Sequence, residues 1–319
     1  MFYGRAGGRF EKFFKGAATA LVTPFDGREV NYAVLEKLIA RQIKAGIGAL
    51  AVLGTTGEAA TVTEKERREI FAFCVRIRNK YDETRRTKLI FGCGANDTRE
   101  AVKNTEIAAK LGADGVLCIT PYCNKCTQRG LYEYYREICL TTDLPVIAYN
   151  VPSRTGVNIL PETMEAIEEL KNIAGIKDAG GNMAQTLETL RRIRRQCDLY
   201  SGADELNLPV LLCGGAGVIS VTANAAPSSV RALCEAVTAG DVARAIQINE
   251  LLTPLNSALF CEVNPIPVKA AMNLLGFFCG KPRAPLTEME NEHLKTLSSA
   301  LTEFRAAMKN EAFFKDGGL

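Results

Sequence analysis

The chain has 319 residues, of which 47% are apolar and 24% charged, and its net charge is +3. This is the balance of a globular protein, and it gives no electrostatic reason to expect a nucleic-acid partner. The longest apolar stretch, 208–221, is interrupted by Gly214, Gly215 and Gly217 and is too short to span a bilayer.

Residues 1–15 carry Arg5, Arg9, Lys12 and Lys15 without a continuous apolar run, which predicts a loosely held extension and not a secretory signal. Without such a signal, the eleven cysteines predict reduced thiols and a cytoplasmic location. Cys74, Cys118, Cys213 and Cys234 lie in apolar segments and read as packed side chains. The single histidine, His293, lies in a polar helical stretch and supports no histidine-based mechanism.

From residue 17 the chain alternates between short apolar runs and amphipathic segments. The spacing predicts strand–helix pairs at 17–22 and 32–45, 49–53 and 64–80, 88–93 and 99–111, and 115–119 and 130–141. Four more follow at 145–149 and 161–170, 173–177 and 183–197, 199–201 and 205–212, and 217–220 and 228–239. Arg191, Arg192, Arg194 and Arg195 alternate with Leu187, Leu190 and Ile193 at helical spacing, so they read as a solvated helix face. Eight units in succession imply a parallel α/β sheet closed into a (β/α)8 TIM barrel over 16–240. An open doubly wound sheet is the alternative, weakened by the lack of a Gly-x-Gly-x-x-Gly fingerprint after the first strand. Beyond residue 240 three helices are expected without intervening strands, at 242–255, 265–275 and 288–308. They predict a C-terminal helical domain over 241–319, in which Leu274, Leu275, Phe277 and Phe278 need cover and the tail from Asn310 frays.

In such a barrel the residues that follow each strand converge on one rim. Here they include Gly54-Thr55-Thr56-Gly57-Glu58, Gly94 to Asn96, Thr120 to Asn124, Tyr149 to Gly156, Lys177, Gly202 and Ile219. A lysine at the end of a buried strand is costly when charged, and a neutral amine adds to carbonyl carbons to form a Schiff base. Tyrosine and threonine hydroxyls can move protons around the carbinolamine and enamine. The Gly-Thr-Thr-Gly turn offers N–H groups and hydroxyls to a carboxylate, and Arg154 can grip a second one. Singly, each has an ordinary alternative: a plain turn, a solvated loop arginine, a core tyrosine, a surface lysine beside Asp178. Their joint placement on one rim favours the chemistry of a small 2-keto acid with an acidic partner.

Four stretches, Gly-Thr-Thr-Gly-Glu (54–58), Tyr-Asn-Val-Pro-Ser-Arg-Thr-Gly (149–156), Gly-Ile-Lys-Asp-Ala (175–179) and Gly-Val-Ile-Ser-Val-Thr-Ala-Asn (217–224), resemble the dihydrodipicolinate synthases. These are pyruvate-dependent class I aldolases and lyases, and the resemblance runs over about 16–310 in matching order. It implies condensation of pyruvate with L-aspartate 4-semialdehyde on the way to diaminopimelate and lysine. It implies Lys177 as the Schiff-base lysine, Tyr149 and Thr55 as proton relay, and Thr56 on the pyruvate carboxylate. Arg154 would bind the semialdehyde carboxylate, and Gly202 and Ile219 would line the pocket. The resemblance further implies a homotetramer built as a dimer of dimers, with neither metal nor organic cofactor. A sialic-acid lyase or keto-sugar-acid aldolase is the nearest alternative, but those generally lack the Val-Pro-Ser-Arg-Thr stretch. A catalytically weak regulatory paralogue is another.

The sequence departs from the family at Cys123, where a second tyrosine usually reaches across the dimer interface into the neighbour's relay. A thiol is shorter and a weaker donor, so reduced turnover is expected. Cys123 and Cys126 form a Cys-x-x-Cys pair, but with no second pair or nearby histidine zinc is not expected. Asn96, Glu100 and Tyr122 match the allosteric lysine pocket of lysine-inhibited relatives. Taken alone, Asn96 reads as a helix cap and Glu100 as a first-turn carboxylate favoured by the helix dipole.

Overall fold

The computed structural model describes residues 13–193 and 197–310. Most of the extension expected over 1–15, together with Arg194, Arg195 and the chain beyond Asn310, lies outside the described residues.

Ten strands are present among them: β1 (Gly16–Ala20), β2 (Phe25–Asp26), β3 (Glu29–Val30), β4 (Ala49–Val52) and β5 (Lys88–Gly92). Then come β6 (Gly115–Ile119), β7 (Val146–Asn150), β8 (Ile173–Asp178), β9 (Asp198–Ser201) and β10 (Gly217–Ser220). β1 and β4 to β10 form a closed barrel in the order β1-β10-β9-β8-β7-β6-β5-β4. All eight neighbours are parallel, and β1 pairs on both edges, Ala18 with Ile219 of β10 and with Ala49 of β4. The expected TIM barrel is therefore the observed fold, and double pairing of β1 rules out the open sheet. β4 and β7 are buried along their whole length. This is why their sequences are continuous apolar runs and not alternating ones: a parallel barrel covers both faces of every strand.

The helix Glu64–Tyr81 starts at a capping box, with Thr63 accepting from the Glu66 amide and the Glu66 carboxylate accepting from the Thr63 amide. It buries Ile70, Phe71, Cys74 and Ile77, and Phe71 stacks on Phe91 of β5 at 3.9 Å between ring centroids. At the other end of the barrel Phe14 stacks on Tyr200 at 4.2 Å, and the Tyr200 hydroxyl donates to the Phe14 carbonyl.

Several local expectations need correction. The antiparallel β2–β3 hairpin and the short helix Pro152–Thr155 were not expected, because elements this short show no period. Asp97, not Asn96, caps the helix Thr98–Lys110 through the Arg99 amide, while Asn96 gives its carbonyl to Asn124. Cys213 is exposed because it terminates the helix Asn207–Leu212; Cys74, Cys118 and Cys234 are buried as expected. Leu274 and Phe278 remain 46% and 75% exposed, so the described residues do not supply the cover they were expected to find.

Three helices follow the barrel, Val242–Leu259, Ile266–Leu274 and Asn291–Asn310. The first is fastened to the barrel rim by Asn256, which accepts from the Thr222 hydroxyl at 2.7 Å and donates to the Asp204 carbonyl. No helix among the described residues is long and apolar enough to cross a membrane.

Candidate active site

Lys177 lies near the end of β8, in register with Tyr149 of β7 on one side and Tyr200 of β9 on the other. It is 4% exposed, and its Nζ sits 4.4 Å from the centre of the Tyr149 ring. Asp178 is not its counter-ion. Side chains alternate along a strand, so Asp178 faces the opposite way. Its carboxylate accepts from the Thr186 hydroxyl at 2.6 Å, the Asn150 amide and the Gly180 N–H. The reading of Lys177 as a surface turn lysine therefore fails.

Gly202 follows β9 and donates its N–H to the Asp178 carbonyl at 2.7 Å. A Cβ at this position would lie 2.7 Å from Lys177 Cε and 2.9 Å from its Cγ. Only glycine leaves the lysine its present course. Ile219 is fully buried on β10. Gly92 serves a similar purpose on the opposite side of the barrel, at the end of β5: a Cβ there would meet the Leu53 carbonyl oxygen at 1.9 Å. The backbone of the turn after β4 therefore packs directly on β5.

That turn carries Thr55 and Thr56. It begins and ends on left-handed residues, Leu53 (φ 53°) and Glu58 (φ 57°). The Gly57 and Glu58 amides bond back to Gly54 and Thr55. The donors left to a carboxylate are fewer than the sequence suggested, because these two amides are used inside the turn. Thr56 is 3% exposed and accepts from the Asn264 side-chain amide at 3.0 Å. Arg154, in the short helix after β7, is exposed and donates from Nη2 to the Asn264 carbonyl at 2.8 Å. One residue from beyond the barrel thus touches both Thr56 and Arg154.

Glu58 is buried against Lys269 at 2.8 Å, each side chain 1% exposed. Its second oxygen accepts the Arg283 N–H at 2.7 Å, and Lys269 also donates to the Lys281 carbonyl. Burial pulls the Lys269 ammonium below the ordinary lysine value although Glu58 opposes that shift. The Arg283 side chain pairs with Glu66, whose carboxyl is held down at about 2, chiefly by that hydrogen bond.

Cys123 is exposed in the loop after β6, with φ of 69°, and Cys126 is half-buried. Burial pushes the Cys126 thiol up. Among the described residues no three His, Cys, Asp or Glu side chains gather as a metal site. Asn124 of the same loop donates to the Asn96 carbonyl at 2.8 Å, so the loops after β5 and β6 are joined. Asn96 and Tyr122 therefore lie on two loops that are tied to each other. The half-buried Arg67 guanidinium donates to the Gly92 carbonyl at 2.9 Å, and burial pulls it below the ordinary arginine value.

Sequence reading missed Asn264, Lys269 and Arg283. The signal was present at Lys269, a lysine within the apolar run Ile266 to Met272. A buried lysine demands a buried acid.

Comparison with known proteins bears on the fold and the family. The model of the Dihydrodipicolinate synthetase family matches residues 13–304. A 4-hydroxy-tetrahydrodipicolinate synthase of Alkaliphilus oremlandii is 47% identical over 285 residues, 89% of this chain and 96% of the relative. The crystal structure of the dihydrodipicolinate synthase of Thermotoga maritima superposes with a TM-score of 0.89 at 41% identity, covering 92% of this chain and 99% of the other. A structure from Cyanidioschyzon merolae with lysine bound has a TM-score of 0.89 at 38% identity, covering 92% and 99% of the two chains. The family match spans all eight barrel strands and the three C-terminal helices up to residue 304, and the chain belongs to the dihydrodipicolinate synthetase family.

Proposed function

We propose that Lys177 carries pyruvate as a Schiff base while this chain condenses it with L-aspartate 4-semialdehyde to give 4-hydroxy-tetrahydrodipicolinate. The single observation that carries the assignment is the buried Lys177 beside the Tyr149 ring, in space that Gly202 keeps open. The Nζ attacks C2 of pyruvate, and loss of water from the carbinolamine gives the imine. Loss of a methyl proton gives the enamine, whose carbon attacks the aldehyde of the second substrate. The semialdehyde amine then displaces Nζ, which closes the ring and frees the lysine.

In this reading Tyr149 and Thr55 pass protons, Thr56 holds the pyruvate carboxylate and Arg154 the semialdehyde carboxylate, with Gly202 and Ile219 lining the pocket. Cys123 stands where relatives place a relay tyrosine, and the reading assigns it a slower proton transfer. The chemistry calls for no metal or organic cofactor beyond the covalent lysine. We assign the chain to the cytoplasm as a homotetramer. We read Asn96, Glu100 and Tyr122 as a site for L-lysine as a feedback ligand, supported by the joined loops that carry Asn96 and Tyr122 and by a relative with lysine bound.

The test is borohydride reduction in the presence of pyruvate, followed by peptide mass mapping, alongside the initial rate with both substrates. The expected result is a reduced pyruvate adduct on Lys177 and turnover that is lost in Lys177→Ala. Absence of an adduct on Lys177 would overturn the assignment.

A further inference from the structure

Thr56 has one hydroxyl hydrogen and two lone pairs, so its neighbours decide which it presents to a ligand. Asn264 Nδ2 donates to Thr56 Oγ1 at 3.0 Å, between residues that are 8% and 3% exposed. A donor on the inner side leaves the hydroxyl hydrogen for an acceptor on the other side. The same residue holds Arg154 through its main-chain carbonyl at 2.8 Å. Asn264 is itself held in place, immediately before Pro265 and the helix Ile266–Leu274, which Lys269 anchors to Glu58.

We infer that Asn264 is a positioning residue that sets the direction of the Thr56 hydroxyl, turning its hydrogen toward the substrate carboxylate. The inference rests on Thr56 being the pyruvate-carboxylate ligand. A side chain at 264 that could only accept would take that hydrogen inward. The hydroxyl would then show its lone pairs to an anion, converting an attraction into a repulsion. The device lies outside the barrel yet acts on the first substrate to bind.

Asn264→Asp tests this, because it keeps the shape of the side chain and reverses its polarity. The expected result is a rise in KM for pyruvate of about tenfold or more, the worth of a hydrogen bond to a charged group. The yield of borohydride trapping at saturating pyruvate should be retained. In a Thr56→Val background the same change should alter KM by no more than about twofold, since only the hydroxyl carries the effect. An equal rise in both backgrounds would mean simple charge repulsion and overturn the inference. So would an unchanged KM, which would mean that Thr56 already donates toward residue 264. If Asn264→Asp does not fold, Asn264→Ala replaces it in the same cycle, and additivity of its KM effect with Thr56→Val is the overturning result. Failure of the wild type to trap pyruvate on Lys177 would instead refute the proposed function, so the two outcomes stay distinct.

Discussion

The buried pair between Glu58 and Lys269 makes the sharpest stability prediction. Lys269→Met keeps most of the aliphatic length and removes the ammonium. It leaves the Glu58 carboxylate 1% exposed, with the Arg283 N–H at 2.7 Å as its remaining donor. Removing one partner of such a pair costs about 3–5 kcal/mol, because an uncompensated charge stays buried. At about 2 °C per kcal/mol for a chain of this size, Tm should fall by about 6–10 °C in thermal unfolding at neutral pH. Glu58→Gln combined with Lys269→Met removes both charges and keeps an acceptor for Arg283. It should recover most of the loss, to within about 2 kcal/mol of wild type. The left-handed Glu58 closes the turn that holds Thr55 and Thr56, so the single variant should also raise KM for pyruvate. A fall of less than about 2 °C in the single variant, or a double variant as unstable as the single, would refute the desolvation reasoning.

Two further outcomes are expected of the residues around these pairs. Glu66 has its folded pKa lowered from 4.5 to about 2 by the Arg283 hydrogen bond. A depressed carboxylate pKa stabilises the fold above the unfolded value and loses that contribution as pH falls. The stability gap between wild type and Glu66→Gln, about 1 kcal/mol after solvent screening, should be full at pH 6 and vanish between about 4.5 and 2. A gap that widens on acidification in urea-unfolding curves would contradict this. Gly202→Ala places a methyl 2.7 Å from Lys177 Cε, so Lys177 must leave its rotamer at a cost of about 1–3 kcal/mol. Pyruvate trapping should slow by about tenfold or more, with Tm lower by about 2–6 °C; normal trapping kinetics would show that the lysine has room to spare.

The barrel was legible because every strand in it is buried on both faces, which writes a plain apolar run such as Val146 to Tyr149 into the sequence. The core of the site was legible for a related reason. Residues that end consecutive strands must be neighbours, so Tyr149 and Lys177 had to meet once the strands were placed. What stayed hidden depends on contacts with no period. Asn264 meets Thr56 across 208 positions, and Lys269 meets Glu58 across 211. Nothing local in Val-Asn-Pro-Ile-Pro-Val-Lys announces which turn it will touch. Asn96 shows the limit on a shorter scale, since both it and Asp97 are good caps and only the backbone decides between neighbours.

These long-range contacts also decide how the C-terminal helices should be understood. The turn after β4 leaves and returns through left-handed residues at Leu53 and Glu58, a conformation that costs about 1–2 kcal/mol for a side-chain-bearing residue. Within the barrel, the amides of Gly57 and Glu58 bond inside the turn, the Thr23 hydroxyl donates to the Gly57 carbonyl at 2.7 Å, and Leu53 packs on Gly92. The contacts to its Thr56 and Glu58 side chains come from 264 onward: the Asn264 amide on Thr56, the Lys269 ammonium on Glu58 and the Arg283 backbone on the second Glu58 oxygen. Arg283 extends the hold to the Thr61 carbonyl and to Glu66 in the next helix. A boundary drawn at residue 240 separates two layers of the fold without separating two functions. The barrel supplies Lys177 and Tyr149, and the segment beyond it holds the turn on which the substrate carboxylate would rest.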